Sequence, residues 1–181
     1  MALDIGIDLG TANIIITIAG KGIVLNEPSV VAYDKKKKEV VAVGAEAYKM
    51  IGRTPEYIVA VRPLKDGVIS DNDMTEAMIR EFIHMVNGGA MMKPRIVLCV
   101  PSSVTDVERR AVVEAAMSAG ARKVFLIEEP IAALIGAGVD ISKPNGTMVV
   151  DIGGGTADVA IVSFNGIVQS RSIKMAGNKF D

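Results

Sequence analysis

The feature that most constrains this chain is a near-repeat of one short pattern, once close to the start and once close to the end. An apolar segment ending in Asp8 is followed by Gly10 and Thr11, and a second apolar segment returns after that turn. The same order recurs where an apolar segment ends in Asp151 and turns at 153–156. Two matched copies indicate a duplicated β-hairpin, and such a pair is suited to clamping one ligand. Two unrelated glycine turns are the alternative, which would account for one copy more readily than for two.

The residue types in these turns are those that bind phosphate groups. Glycines let the backbone approach closely and point successive N–H groups at one anion, and the threonine hydroxyls add further donors. An acid at the strand end would repel a bare phosphate, but a hydrated Mg²⁺ between them would suit both, because Mg²⁺ prefers carboxylates, phosphate oxygens and retained waters. The sequence therefore predicts a site for the β- and γ-phosphates of a nucleotide between the two hairpins. Neither a Walker A loop nor a dinucleotide fingerprint fits, since no Gly-Lys-Ser/Thr follows and the glycines open onto a strand.

Phosphoryl transfer to water also requires a residue that positions the water. Glu128 and Glu129 stand before Pro130, where an apolar segment meets an alanine-rich one. A carboxylate at the start of a helix is explained equally well by the helix dipole. The residues alone therefore leave a catalytic role open.

The rest of the pattern predicts an α/β fold that begins with an antiparallel hairpin. We predict strands over residues 3–8, 13–19, 23–25, 95–100 and 123–127. The predicted helices begin with a capping box at Asp73–Glu76, with a second capping box at Thr105–Glu108, and at Pro130. The first two are predicted to end at Gly88 and Gly120.

Composition and charge exclude several classes of protein. The 181 residues carry a formal net charge of −1, so there is no basic excess for binding the phosphate backbone of a nucleic acid. The single cysteine, Cys99, excludes an internal disulfide and is predicted to be a buried strand thiol. No uncharged apolar run reaches the ~18 residues of a membrane span, and no signal peptide is recognisable, so we predict a cytoplasmic protein.

Three segments resemble the motifs of the actin-like ATPases. Residues 8–13 resemble their first phosphate motif, 151–156 the second, and 129–138 the helix that connects the domains. Heat-shock chaperones of the seventy-kilodalton class share these features, and sugar kinases share them more loosely. Narrower stretches are similar to the MreB-like bacterial actins, at 20–30, 62–69, 107–111 and 119–130.

The resemblance implies roles for individual residues. Phosphates would be bound by the first loop and by the second, at Gly10, Thr11, Ala12, Asn13, Gly153, Gly154, Gly155 and Thr156. Asp8 and Asp151 would reach Mg²⁺ through waters. Glu129 would polarise the water that attacks ATP, with Glu128 as the second choice. ATP and Mg²⁺ are thus the implied cofactors.

It also implies the actin-like, ribonuclease H-like architecture of domain I with the opening strands of domain II. Residues 1–30 and 72–145 would form subdomain IA, residues 31–71 subdomain IB, and residues 146–181 an incomplete start of subdomain IIA. Because only the opening strands of IIA are present, we expect them to expose apolar surface. Ala157-Asp158 stands where members of the family commonly have Thr-Glu.

The implied function is that of an ATP-binding, filament-forming ATPase that organises cell shape and wall synthesis at the inner face of the membrane. Its partners would be other protomers, the membrane surface, and cell-wall synthesis and cell-shape proteins. The alternative is the nucleotide-binding domain of a heat-shock-type chaperone, and the narrow stretches argue against it. A sugar or acetate kinase ranks lowest, because it would need a substrate pocket between domains.

The segment 88–94 is a candidate membrane contact. Related actins dock on membranes through an N-terminal amphipathic helix or an apolar loop of subdomain IA, and here the first strand begins near Leu3. Met91 and Met92 could enter the acyl boundary while Lys93 meets anionic headgroups. The alternative is that both methionines fold back onto the core.

Overall fold

The computed structural model describes residues 3–88 and 92–179. Its strands are β1 (Asp4–Leu9), β2 (Asn13–Ile18), β3 (Gly22–Pro28), β4 (Val31–Asp34), β5 (Glu39–Val43), β6 (Ile58–Val61), β7 (Leu64–Lys65), β8 (Val68–Ile69), β9 (Arg95–Val100), β10 (Lys123–Glu128), β11 (Thr147–Ile152), β12 (Ala157–Ser163) and β13 (Gly166–Ile173). Its helices are α1 (Gly44–Met50), α2 (Asn72–Asn87), α3 (Asp106–Ser118) and α4 (Glu129–Gly136), and a short 3₁₀ turn follows at Gly177–Lys179.

A five-stranded mixed sheet in the order β10-β9-β1-β2-β3 forms the centre of the molecule. The hairpin β1-β2-β3 is antiparallel, whereas β1, β9 and β10 run parallel. Alternate residues of β1 enter the main core, where Ile5 and Ile7 are buried together with Phe82 of α2. The intervening residues, including Asp8, therefore point to the opposite face of the sheet.

The helix boundaries follow local capping chemistry. The capping box of α3 is confirmed, because the Thr105 side chain accepts from the Glu108 N–H and the Glu108 carboxylate accepts from the Thr105 N–H. The box predicted at Asp73–Glu76 is wrong: the N-cap of α2 is Asp71, which accepts from Met74 N at 3.0 Å. Gly88 ends α2 in the left-handed conformation, as predicted. Helix α4 starts at Glu129, one residue before the predicted Pro130.

A second, three-stranded sheet in the order β5-β4-β6 lies within residues 31–61, with α1 packed nearby. No local pattern in the sequence predicts α1, and the structure shows why. No side chain caps the helix locally; instead Ala45 N–H donates to the Glu27 carboxylate at 2.7 Å, across 18 positions of sequence. A long-range contact of this kind leaves no local signature.

The third sheet, β11-β12-β13, is antiparallel and packs one face on α4. On the other face Met148, Val150 and Ile152 are 67%, 54% and 68% exposed. The expected exposed apolar surface is therefore confirmed. Within the described ranges, none of the helices has the length and apolar character needed to cross a bilayer.

Candidate functional site

Two glycine turns face each other at the end of the central sheet. Loop 1, residues 10–12, joins β1 to β2, and loop 2, residues 153–156, joins β11 to β12. A Cβ added to Gly154 would lie 2.6 Å from the Ala12 Cβ, and one added to Gly155 would lie 2.7 Å from the Thr11 hydroxyl oxygen. The backbones of the two loops therefore approach so closely that only glycine fits at these two positions of loop 2.

A cavity of about 200 Å³ opens between the loops. It contains every residue that the sequence proposed for phosphate and Mg²⁺, together with Glu129. Its lining consists of Asp8, Leu9, Gly10, Thr11, Ala12, Asn13, Ile15, Gly67, Glu129, Asp151, Gly153, Gly154, Gly155 and Thr156. The near-repeat in the sequence thus becomes one site in three dimensions.

Three acids from three different elements converge on this cavity. Partial desolvation by the surrounding protein raises the pKa of Asp8 and of Asp151, and the negative charge of Asp151 raises the Asp8 pKa further. The pKa of Glu129 rises to about 8, first because the surrounding protein desolvates it and then because Asp8 and other acids lie nearby. Carboxyl groups that repel one another in this way favour an added cation.

The carboxylates of this cavity fit a Mg²⁺ that keeps part of its water shell better than a metal ion bound by protein ligands alone. Nowhere in the described ranges do three His, Cys, Asp or Glu side chains group closely enough to hold an ion by themselves. Mg²⁺ typically keeps several waters and binds through one or two carboxylates plus phosphate oxygens. Asp8 and Asp151, at the ends of equivalent strands, are the carboxylates available for that arrangement.

Glu128 and Met92, two further residues predicted to be functional, are not part of the cavity lining. Glu128 is absent from the cavity lining, and its carboxylate accepts from Arg109 Nη2 at 3.0 Å. Met92 is 50% exposed, far along the sequence from either loop, and Met91 lies outside the described residues. Of the two glutamates, Glu129 is therefore the one that lines the cavity, and the membrane role of residues 88–94 remains a prediction.

A short hairpin, β7–β8, supplies a contact that the sequence did not predict. Gly67 at its tip lines the cavity and donates its N–H to the Thr11 hydroxyl oxygen at 2.9 Å. A Cβ on Gly67 would lie 3.0 Å from both Pro101 and Thr156, so the tip fits closely between neighbouring segments. Residues 62–69 resemble the MreB-like actins, but no local pattern in them predicts a contact with loop 1.

Asp158 is the second residue without a predicted role. It is 1% exposed, and its carboxylate accepts from the Ser102 hydroxyl at 2.9 Å. Its negative charge contributes to the raised pKa values of Glu129 and Asp151. Asp158 is thus part of the electrostatics of the site.

The sequence matches a known protein family over almost its whole length. A family model described as MreB/Mbl protein matches residues 2–181. The chain belongs to the MreB/Mbl family. Cell shape-determining protein Mbl of Bacillus subtilis (strain 168) is 60% identical over 181 residues, which are 99% of this chain and 54% of Mbl. Cell shape-determining protein MreB of Escherichia coli (strain K12) is 55% identical over 184 residues, covering 98% of this chain and 53% of that MreB.

Solved structures agree with the MreB/Mbl assignment. MreB5 of Spiroplasma citri bound to ADP superimposes with a TM-score of 0.88 at 42% identity, covering 99% of this chain and 54% of MreB5. The same protein bound to AMPPNP gives a TM-score of 0.87. The chain therefore has the α/β fold of the actin-like ATPases, and the resemblance drawn from its motifs is confirmed.

The MreB/Mbl relatives are longer than this sequence. The chain spans about half the length of the Mbl and MreB proteins that it matches. It is a homologue of cell shape-determining proteins, and the family match does not favour the chaperone alternative.

Proposed function

We propose that the natural full-length polypeptide binds ATP with Mg²⁺ between loops 1 and 2, hydrolyses it, and assembles into filaments. The observation that carries the proposal is the convergence of two glycine–threonine turns and three acids on one cavity. The ADP and AMPPNP complexes of MreB5, a protein of the same fold, support a nucleotide as the ligand.

Phosphate oxygens would be bound by the backbone N–H groups of both loops and by two threonines. Thr11 and Thr156 are each only 8% exposed, so a bound phosphate would meet them out of bulk water. The Thr11 oxygen accepts from Gly67, which leaves the hydroxyl hydrogen free to be donated to a phosphate oxygen. Donors held in place in this way stabilise charge without reorganising when it develops.

Asp8 and Asp151 would hold the Mg²⁺ through waters. The cation would supply positive charge that offsets the phosphates and the acids around the cavity. Glu129 would then be ionised, because a cation nearby lowers the pKa of a carboxyl. Its carboxylate would accept a hydrogen bond from the attacking water and orient it towards the terminal phosphate.

The cellular role that we propose is inferred from the roles for which the related proteins are named. Mbl and MreB are cell shape-determining proteins by name. We infer the same role for this protein, at the cytoplasmic face of the cell membrane, with protomers, the membrane surface and cell-wall synthesis proteins as partners. The subdomain assignment belongs to the same proposal: IA at 1–30 and 72–145, IB at 31–71 and the start of IIA at 146–181. The separate sheets at 31–61 and 147–173 support these boundaries.

Sedimentation tests the assembly, and phosphate release tests the chemistry. We expect the full-length polypeptide to pellet on ultracentrifugation with Mg²⁺-ATP and to remain in solution without nucleotide. We expect phosphate release to accompany pelleting. Nucleotide binding without any ATP-dependent pelleting would contradict the filament part and favour a ligand-gated switch.

A further inference from the structure

Loop 1 is held from the side that faces away from the cavity. Arg62 follows β6, and its Nη1 donates to the Ala12 carbonyl oxygen at 3.0 Å and approaches the Thr11 carbonyl oxygen at 3.5 Å. Ser29 donates its N–H to the Ala12 carbonyl at 2.9 Å and its hydroxyl to the Gly10 carbonyl at 2.6 Å. Three consecutive carbonyl groups of the loop therefore have donors supplied by just two residues.

This arrangement fixes where the N–H groups of loop 1 point. In a planar trans peptide, the C=O of one residue and the N–H of the next are directed oppositely. Carbonyls turned towards Ser29 and Arg62 thus turn the N–H groups of Thr11, Ala12 and Asn13 the other way. Those three residues line the cavity.

Arg62 is placed to do this with little freedom. It is half-buried, and its guanidinium lies over the Tyr48 ring of α1 at 5.5 Å from the ring centre. The next residue, Pro63, is buried and its carbonyl accepts from Ser70 N at 2.9 Å, so the backbone on which Arg62 stands is itself tied down. A planar guanidinium held against a ring loses less freedom on bonding than an unsupported side chain.

We propose that Arg62 is a positioning residue of the phosphate site, acting through the backbone of loop 1 and not by contact with the ligand. It holds the Thr11 and Ala12 carbonyls, and thereby presents the N–H groups of Ala12 and Asn13 to a phosphate. The proposal rests on the proposed function, since it assigns a donor-orienting role within the same site. Through Arg62, the segment between β6 and β7 is also linked directly to loop 1.

A charge effect and an orienting effect differ in what the bound state looks like. A distant positive charge that only attracts phosphate alters affinity, but it leaves the geometry of the saturated complex unchanged. An orienting residue alters the N–H groups themselves, so the complex differs even at saturation. Amide proton shifts report hydrogen bonding at individual N–H groups and separate the two cases.

The experiment uses ¹⁵N-labelled full-length polypeptide at saturating AMPPNP and Mg²⁺, comparing wild type with Arg62→Met, which keeps bulk beside Tyr48 but removes every donor. We expect the binding-induced amide shifts of Ala12 and Asn13 to be lost or at least halved, while those of Gly154 and Gly155 persist. We expect the AMPPNP Kd to rise at least roughly tenfold, about 1.4 kcal/mol. Arg53→Met, at an exposed arginine earlier in the same segment, is the matched control and should behave as wild type.

A conservative variant keeps the test decisive if Arg62→Met folds poorly. Arg62→Lys retains one donor nitrogen in place of the guanidinium group, so we expect partial recovery of the Ala12 and Asn13 shifts. The proposal is overturned if Arg62→Met reproduces the wild-type shifts of both loops at saturation, or if Arg62→Lys alters the shifts of loop 1 and loop 2 equally, whatever happens to the Kd. A wild type in which neither loop responds to AMPPNP would instead overturn the proposed nucleotide site.

Discussion

Glu129→Gln should change how the stability of the protein depends on pH. In the folded state the site raises the Glu129 pKa to about 8, against an ordinary value of 4.5. The folded protein therefore binds this proton more tightly than the unfolded chain does. By linkage, the stabilising contribution is fully present below about pH 4.5 and is lost as the pH rises through about 8. Glutamine does not ionise, so the Glu129→Gln variant does not lose this stability as the pH rises.

The size of this change in the free energy of unfolding follows from the folded and unfolded pKa values of Glu129. At about 1.4 kcal/mol per pKa unit, the rise from 4.5 to about 8 corresponds to at most about 5 kcal/mol. Solvent reaches part of the side chain and screens its interactions with Asp8 and Asp151, so we expect about 1–3 kcal/mol in practice. The variant should gain that much over wild type at pH 9, and very little at pH 5.

The assay is urea unfolding of the full-length polypeptide at pH 5, 7 and 9, without nucleotide and with a chelator to exclude divalent cations. Glu114→Gln, at an exposed glutamate of α3, controls for the general effect of removing an acid. The difference in free energy of unfolding between Glu129→Gln and wild type should widen from pH 5 to pH 9. A difference that stays constant across this range would refute the electrostatic description of the site.

Three further predictions concern binding, catalysis and the membrane. Asp151→Ala should lose Mg²⁺-dependent ATP binding while keeping the fold, and an unchanged affinity in calorimetry with Mg²⁺ would remove this residue from the metal site. Glu129→Ala should bind ATP normally but hydrolyse it at least roughly tenfold more slowly, a barrier increase of about 1.4 kcal/mol; a larger loss in Glu128→Ala would transfer the role to that residue. Met91→Ser/Met92→Ser filaments should pellet less with anionic liposomes than wild type, because each methionine contributes at most about 1.5–3 kcal/mol and filaments multiply it. Equal pelleting would exclude this loop as the anchor.

Local patterns in the sequence were sufficient for the parts of the fold that local chemistry determines. Strand β9 matches its predicted bounds, and the Thr105–Glu108 box marks the start of α3 as expected. The two turns were predicted to form one site because they repeat, and the structure brings them into contact through Gly154 and Gly155. In each case the determining residues lie within a few positions of one another or repeat the same pattern.

The elements that escaped prediction depend on contacts between distant residues. The Ala45 N–H at the start of α1 donates to the distant Glu27 carboxylate. The tip of the β7–β8 hairpin is held by a hydrogen bond from Gly67 N–H to the Thr11 hydroxyl oxygen. The raised pKa of Glu129 likewise arises from acids on other elements, which no spacing along the chain reveals. Arg62 belongs to the same group, because its bonds to loop 1 span about fifty positions.

The most direct test of the account asks whether contact between the two loops forms the nucleotide site. A methyl group at Gly155 would lie 2.7 Å from the Thr11 hydroxyl and 3.0 Å from the Asp66 Cα, so Gly155→Ala must push the loops apart. Gly136→Ala in α4 is the matched control, because nothing lies within 4 Å of its added carbon. We predict, in calorimetric titration of the full-length polypeptide with AMPPNP and Mg²⁺, wild-type affinity for Gly136→Ala and at least a roughly tenfold loss, about 1.4 kcal/mol, for Gly155→Ala. Equal affinity of all three proteins would contradict a phosphate site between the loops.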